Sequence, residues 1–141
     1  MKIGIINGPN LNLLGKREPE IYGNKTFEDF FNYLIRTFGD DEFHYFQSNV
    51  EGELINKIQE YGDKCNGIII NAGAYTHTSI AIADAIAAIK IPVIEVHLSN
   101  IFAREDYRHV SYLGKHCAGC ISGLGLAGYE LAVSALRDAK I

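Results

Sequence analysis

The sequence predicts a three-layer α/β protein, a five-stranded parallel sheet with helices on both faces, and three observations point to it. Short β-branched runs alternate with longer helical patterns along the whole chain, as they do when each parallel strand is followed by a covering helix. The run Gly67-Ile68-Ile69-Ile70-Asn71 is apolar throughout, as befits a central strand buried on both faces. A length of 141 residues suits one catalytic domain spanning residues 1–141 and leaves no room for a barrel of eight strands and helices.

Five strand-helix units follow in order. Residues 2–7 form the first strand, and its helix begins after Lys25, where Thr26-Phe27-Glu28-Asp29 sets a capping hydroxyl three residues before a carboxylate. Phe27, Phe30, Phe31, Leu34, Ile35 and Phe38 then make one apolar stripe. Residues 42–48 are the second strand, leading to a helix over residues 51–61 with Leu54, Ile55, Ile58 and Tyr61 at helical spacing, which Gly62 is expected to end. The third strand, residues 67–71, precedes a nearly all-apolar helix over residues 79–89 that carries Asp84. Two readings of that helix stand: burial by its own sheet alone, or packing against another subunit as well. Residues 92–97 and 117–122 give the fourth and fifth strands, and a last helix covers residues 126–139. The arrangement is flavodoxin-like.

Composition narrows the function. With 48% hydrophobic and 21% charged residues the chain can bury a core, and a net charge of -4 leaves no global positive field for nucleic acid or anionic lipid. No apolar run approaches the roughly 18 to 20 residues that span a bilayer, and the first residues run directly into a strand, so a cytoplasmic address is expected. Three cysteines, Cys65, Cys117 and Cys120, suit a reducing compartment. Cys117-Ala-Gly-Cys120 looks like a redox or zinc pair, but it falls inside an expected strand, where residues three apart point to opposite faces. Buried core thiols are the expectation.

Ligands of open α/β sheets sit beyond the carboxyl ends of the strands, where strand order reverses. The loops there carry Asn7-Gly8-Pro9-Asn10-Leu11-Asn12, Asn71-Ala72-Gly73-Ala74-Tyr75-Thr76-His77-Thr78, His97-Leu98-Ser99-Asn100 and Ser122-Gly123-Leu124-Gly125. Amides, hydroxyls and imidazoles of this kind suit a polyhydroxylated or carboxylated small molecule more than a divalent metal. The first loop lacks both the clustered aspartates of a phosphoacceptor and the hydroxyl-rich phosphate loop of a flavin site. Gly123-Leu124-Gly125 with Gly128 is a fragment of a dinucleotide fingerprint, but it follows the last strand, so a tight turn is expected. The long loop from Gly8 to Lys25, with an expected lid at about residues 15–25, holds Lys16-Arg17-Glu18-Pro19-Glu20-Ile21-Tyr22-Gly23. Arg17 and Tyr22 are either solvated surface groups or a chemical pair. A guanidinium near a phenol favours the tyrosinate, whose pKa of about 10 must fall by roughly three units, about 4 kcal/mol, to be half ionised at neutral pH.

On these residues the chain resembles the type II 3-dehydroquinate dehydratases. The motifs are Gly8-Pro9-Asn10-Leu11-Asn12-Leu13-Leu14-Gly15 with Arg17-Glu18-Pro19 and Tyr22-Gly23, residues 71–79, Glu95-Val96-His97-Leu98-Ser99-Asn100-Ile101, Ala103-Arg104-Glu105, Arg108, and Ile121-Ser122-Gly123-Leu124-Gly125 with Gly128-Tyr129. The resemblance implies a subunit of a homododecamer built from four trimers. It implies dehydration of 3-dehydroquinate to 3-dehydroshikimate, without metal or organic cofactor, in the shikimate pathway or quinate catabolism. Carried over residue by residue, Tyr22 is the base that forms an enolate, Arg17 lowers its pKa, Asn10 orients a water on the enolate oxygen, and His97 is the general acid. Glu95 either tunes His97 or forms a structural ion pair. The Leu98 and Ser99 amides, with the Ser99 hydroxyl, hold the substrate carboxylate; Asn71, His77 and Arg108 bond its ring hydroxyls; Asp84 reaches a neighbouring subunit's site.

The chain departs from the family at Phe102, where histidine is common, at Ala72, where proline is usual, and at Tyr107, where phenylalanine is usual. Phe102 is expected to change polarity near the carboxylate loop. The rival to the dehydratase is a binding module for a small carboxylate, and the Arg17 and Tyr22 pair, which a pure binder does not need, separates the two.

Overall fold

All five expected strands are present, the fifth shorter than expected. A computed structural model describes residues 1–16, 20, 24–138 and 141 of the chain. In order it holds β1 (Lys2–Asn7), α1 (Phe27–Thr37), β2 (Glu42–Gln47), α2 (Glu51–Lys64), β3 (Gly67–Asn71), α3 (Ile80–Ala88), β4 (Val93–His97), β5 (Gly119–Ser122) and α4 (Ala127–Arg137). All strand pairings are parallel and the sheet order is β2-β1-β3-β4-β5. The chain therefore steps from β1 to one side and returns to place β3 on the other. Strand order reverses between β1 and β3, whose last residues Asn7 and Asn71 lie opposite each other.

Two-residue alternation divides the core. Ile6, Ile68 and Ile70 pack with Leu54, Ile58, Ile82 and Ile86, so α2 and α3 cover one face. Ile3, Ile5 and Ile69 pack with Phe27, Phe30, Leu34, Tyr129 and Val133, so α1 and α4 cover the other. Each such side chain contributes on the order of 1.5–3 kcal/mol by leaving water. The capping box of α1 is present: the Asp29 N–H donates to Thr26 Oγ1 at 3.2 Å and the Thr26 N–H to Asp29 Oδ2 at 3.3 Å. In its stripe, Ile35 stays 40% exposed. It lies about 100° around the helix from the buried Leu34, at the margin of the face that reaches the sheet.

Gly62 does not end its helix, because α2 runs on to Lys64. A Cβ at Gly62 would stand 2.5 Å from Ile89 Cγ2, so the missing side chain lets α2 lie close to the end of α3. The fifth strand starts later than expected, at Gly119. Residues Gly114–His116 first make a 3-10 turn that the Cys117 N–H extends to the Gly114 carbonyl at 3.2 Å. Cys117 is thus outside the strand, and since β5 is a sheet edge, Cys120 is exposed; of the three thiols only Cys65 is buried. The expectation that Cys117 and Cys120 are buried core thiols fails for that reason. The glycine turn after β5 does form, with φ of 91° at Gly123 and 59° at Gly125.

The contact at Gly62 sets a stability test. Gly62→Ala should lower the free energy of unfolding, since overpacking of about 1–3 kcal/mol outweighs the roughly 1 kcal/mol gained in helix propensity. In urea melts, Gly62→Ala combined with Ile89→Ala should cost less than the two single changes summed; strict additivity would mean the glycine is not there for Ile89.

Candidate active site

The crevice at the strand-order reversal depends on a close backbone approach. The Gly8 N–H donates to the Asn71 carbonyl at 2.7 Å, and a Cβ at Gly8 would lie 2.5 Å from the Ala72 carbonyl oxygen. Only glycine lets the loops after β1 and β3 meet there. Asn10, two residues on, takes a left-handed conformation (φ 70°), which asparagine tolerates, and its N–H donates to Asn49 Oδ1 at 3.0 Å. Asn71 is buried at the end of β3, with its side-chain oxygen accepting from the Gly73 N–H at 3.2 Å.

A cavity of about 210 Å³ opens above these loops, lined by Asn10, Asn71, His77, His97, Leu98, Ser99 and Arg108. Seven of the ten residues singled out in the sequence thus meet in one place. Asp84 is not among the lining; it sits on the exposed side of α3, as does Ile80. Arg17 and Tyr22 lie outside the described residues. No lysine lines the cavity among the described residues.

The two-residue strand period puts Glu95 and His97 on one face of β4. His97 Nε2 lies 2.6 Å from Glu95 Oε1, with Glu95 fully buried and His97 5% exposed. Ser111 Oγ stands 2.9 and 3.0 Å from the two Glu95 oxygens, sharing its one proton between them. The Ser111 oxygen accepts in turn from the Leu113 and Gly114 N–H groups at 3.2 and 3.0 Å.

His77 is held differently. Its Nδ1 is 2.7 Å from the Val110 carbonyl, which can only accept, so Nδ1 carries the proton and Nε2 of the neutral ring is an acceptor. Burial lowers its pKa below the ordinary histidine value, with His97 and Arg108 acting in the same direction and the Val110 bond opposing. The His77 and His97 rings lie 6.1 Å apart and nearly parallel, at 23°. Across the loop, Arg108 Nε donates to Glu105 Oε2 at 2.8 Å. The Glu105 backbone N–H and then Arg108 hold that carboxyl at about 2, so it stays an anion.

Two contributors were missed from sequence. Arg104 lines the cavity, and its Nη1 donates to Ser99 Oγ at 3.2 Å; its place four residues before Arg108 was the available signal. Ser111 carried no signal, because only the folding of the loop over β4 brings it to Glu95. Phe102 is 67% exposed, packs 5.9 Å from the His109 ring and does not line the cavity, so its polarity falls on the outer surface and not on the carboxylate loop. Burial first, and Glu95 second, push the Cys117 and Cys120 thiols up to about 12 and about 11, so both carry their protons at neutral pH.

Fold and cavity together define a doubly wound α/β enzyme whose switch-point crevice carries a buried histidine–carboxylate pair. A family model described as "Dehydroquinase class II" matches residues 1–137. A 3-dehydroquinate dehydratase of Fusobacterium nucleatum is 56% identical over 138 residues, covering 94% of each chain, and one of Clostridium perfringens is 55% identical over 142 residues, covering 98% of each. The crystal structure of a type II dehydroquinase from Propionibacterium acnes superimposes with a TM-score of 0.92 at 43% identity, covering 97% of this chain and 96% of that one. The chain belongs to the class II dehydroquinase family.

The state of His77 can be read directly. Nitrogen-detected NMR at pH 7 should show the neutral ring protonated on Nδ1, with a titration midpoint below about 6.5, the ordinary histidine value. Because the folded state resists protonation, it binds fewer protons than the unfolded chain as pH falls from that value to the His77 midpoint. Stability should therefore decline across that window and flatten below it. An Nε2-protonated ring at pH 7 would overturn this assignment.

Proposed function

We propose that the protein dehydrates 3-dehydroquinate to 3-dehydroshikimate through an enolate, the step that the shikimate pathway and quinate catabolism share. The buried Glu95–His97 pair in the wall of a small polar cavity carries this reading, in a chain of the class II family. Tyr22, as tyrosinate beside Arg17, takes the proton from the carbon next to the ketone, and the electron pair moves onto the carbonyl oxygen. Asn10 orients a water that meets the charge developing there. As the enolate collapses, the carbon–oxygen bond to the hydroxyl breaks and His97 supplies the proton that makes water. Glu95 occupies Nε2, so Nδ1 is the nitrogen left to deliver that proton.

Binding follows from the donors. The Leu98 and Ser99 amides hold the substrate carboxylate. Arg104 donates to the Ser99 oxygen, which turns the hydroxyl proton outward for the same carboxylate. Asn71, Arg108 and the accepting Nε2 of His77 pair with the ring hydroxyls, and such groups reject analogues that lack them. In this reading residues 1–141 are one catalytic domain with a lid at about 15–25, working in the cytoplasm. Four trimers make a dodecamer, with Asp84 reaching the site of a neighbour. The exposed side of α3, where Ile80 is 64% exposed beside Asp84, supports that packing.

Adding 3-dehydroquinate should raise the ultraviolet absorbance of the conjugated enone. Tyr22→Phe should cut turnover by at least the ~10²-fold typical of general base catalysis while substrate binding persists. Borohydride with substrate should leave the mass unchanged, and a lysine adduct would replace the enolate route with a Schiff base. Light scattering at micromolar concentration should give twelve times the subunit mass; a monomer would remove Asp84 from any site.

A further inference from the structure

The cysteine pair that resembles a metal motif in sequence is split by the fold, and one member is delivered elsewhere. In the β4–β5 register Cys120 lies opposite Glu95, and paired residues of neighbouring strands project to the same face. One donor atom from each of Glu95, His97 and Cys120 falls within 4.8 Å of the other two. A carboxylate oxygen, an imidazole nitrogen and a sulfur are the donor set of a borderline divalent cation, zinc above all. Magnesium and calcium, which want several oxygens, gain little from it.

We propose that Glu95, His97 and Cys120 form a binding site for a zinc-class divalent cation, and that its occupancy switches the dehydratase off by taking His97. The inhibitory half rests on the reading of His97 as proton donor; the binding half does not. Metal–ligand bonds of about 2.0–2.3 Å place tetrahedral ligand atoms roughly 3.2–3.8 Å apart. His97 Nε2 and Glu95 Oε1, now 2.6 Å apart, would separate by less than about 1.5 Å, and the sulfur would close in by a comparable amount. Cys120 can do so because it sits on the exposed edge strand, where rotation of its side chain meets little packing. Glu95 is already fixed by Ser111, which keeps its carboxylate aimed at the site. Water from the open side completes four-coordination. Binding exchanges the proton shared by Glu95 and His97, and the thiol proton, for the cation, so the ring keeps only the Nδ1 proton of a neutral, metal-bound imidazole, a far weaker acid than the imidazolium that dehydration needs.

The test uses the full chain, freed of metal with EDTA and titrated with zinc chloride in a calorimeter. One equivalent per chain is expected. Cys120→Ser should weaken affinity by at least the roughly 10-fold that disturbing even an outer contact of a metal site costs, and should leave the metal-free dehydration rate unchanged. Cobalt chloride should give a thiolate-to-metal charge-transfer band in the wild type and in Cys117→Ser, and none in Cys120→Ser. Zinc should inhibit the wild type reversibly, with EDTA restoring activity, and Cys120→Ser should resist it by the factor it loses in affinity. Equal zinc affinity in wild type and Cys120→Ser, or no cobalt–thiolate band, would overturn the site. Binding that depends on Cys120 without inhibition would overturn the inhibitory half. A chain that never dehydrates 3-dehydroquinate would sink the proposed function, while calorimetry and the cobalt band still decide the metal site.

Discussion

A carboxyl group with no exposed surface, set inside a parallel sheet, is the constraint around which the cavity is organised. Leaving such a group unpartnered costs several kcal/mol, so the chain must bring donors to Glu95. One comes from two residues along the same strand, where the strand period makes His97 an obligatory neighbour. The other comes from a loop sixteen residues on, where Ser111 reaches both carboxyl oxygens while its own oxygen accepts two backbone N–H groups. That anchor fixes the rest of the segment. Leu113 is fully buried, the Tyr112 N–H donates to the Thr76 carbonyl at 3.0 Å, and the Val110 carbonyl orients His77. The wall of the site therefore hangs from one buried acid.

The floor has its own pillar. Tyr129 on α4 is fully buried, and burial pushes its phenol pKa up, so the hydroxyl keeps its proton and donates it to Asn7 Oδ1 at 2.7 Å. Asn7 and Asn71 face each other across β1 and β3, and both amides sit at the same phenol. A helix remote in sequence thus satisfies the polar ends of the two central strands at the point where the chain order reverses. Without that hydroxyl, two buried asparagines would share one fewer partner directly beneath the cavity, a loss on the order of 1–3 kcal/mol. The Gly8 approach to Ala72 then closes the floor from the side.

Much of this was legible in sequence, and the exceptions share a cause. The triple-isoleucine core of β3, the Thr26 cap and the glycine turn after β5 follow from local chemistry, and the structure has each of them. Six of the seven cavity residues lie at strand ends or in the loops leaving them, where topology brings them together, whereas Arg108, well past the end of β4, was found only through the family resemblance. Gly62 was misread because a glycine that ends a helix and one that admits a neighbouring helix look alike until Ile89 is placed against it. Cys120 was misplaced because the edge position of β5 is a property of the sheet order and not of the strand. Ser111 and Arg104 act through partners sixteen and five residues away, distances at which no periodicity speaks.

Two histidines share one wall, and their partners separate what they can do. A backbone carbonyl offers His77 only a dipole, enough to hold one tautomer and leave Nε2 as an acceptor. A carboxylate 2.6 Å from His97 offers a full opposite charge, the partner an imidazolium needs if it is to form within a buried wall. The parallel rings, 6.1 Å apart, would repel if both were charged, so one cation in the wall disfavours a second. In the dehydration proposed above the pair would divide the work, with one ring accepting a bond from a substrate hydroxyl while the other carries a proton to the hydroxyl that leaves. That division is set by which loop covers which strand end. The two imidazoles are chemically identical, and the difference between them originates in Glu95 and in the carbonyl that Ser111 indirectly brings to His77.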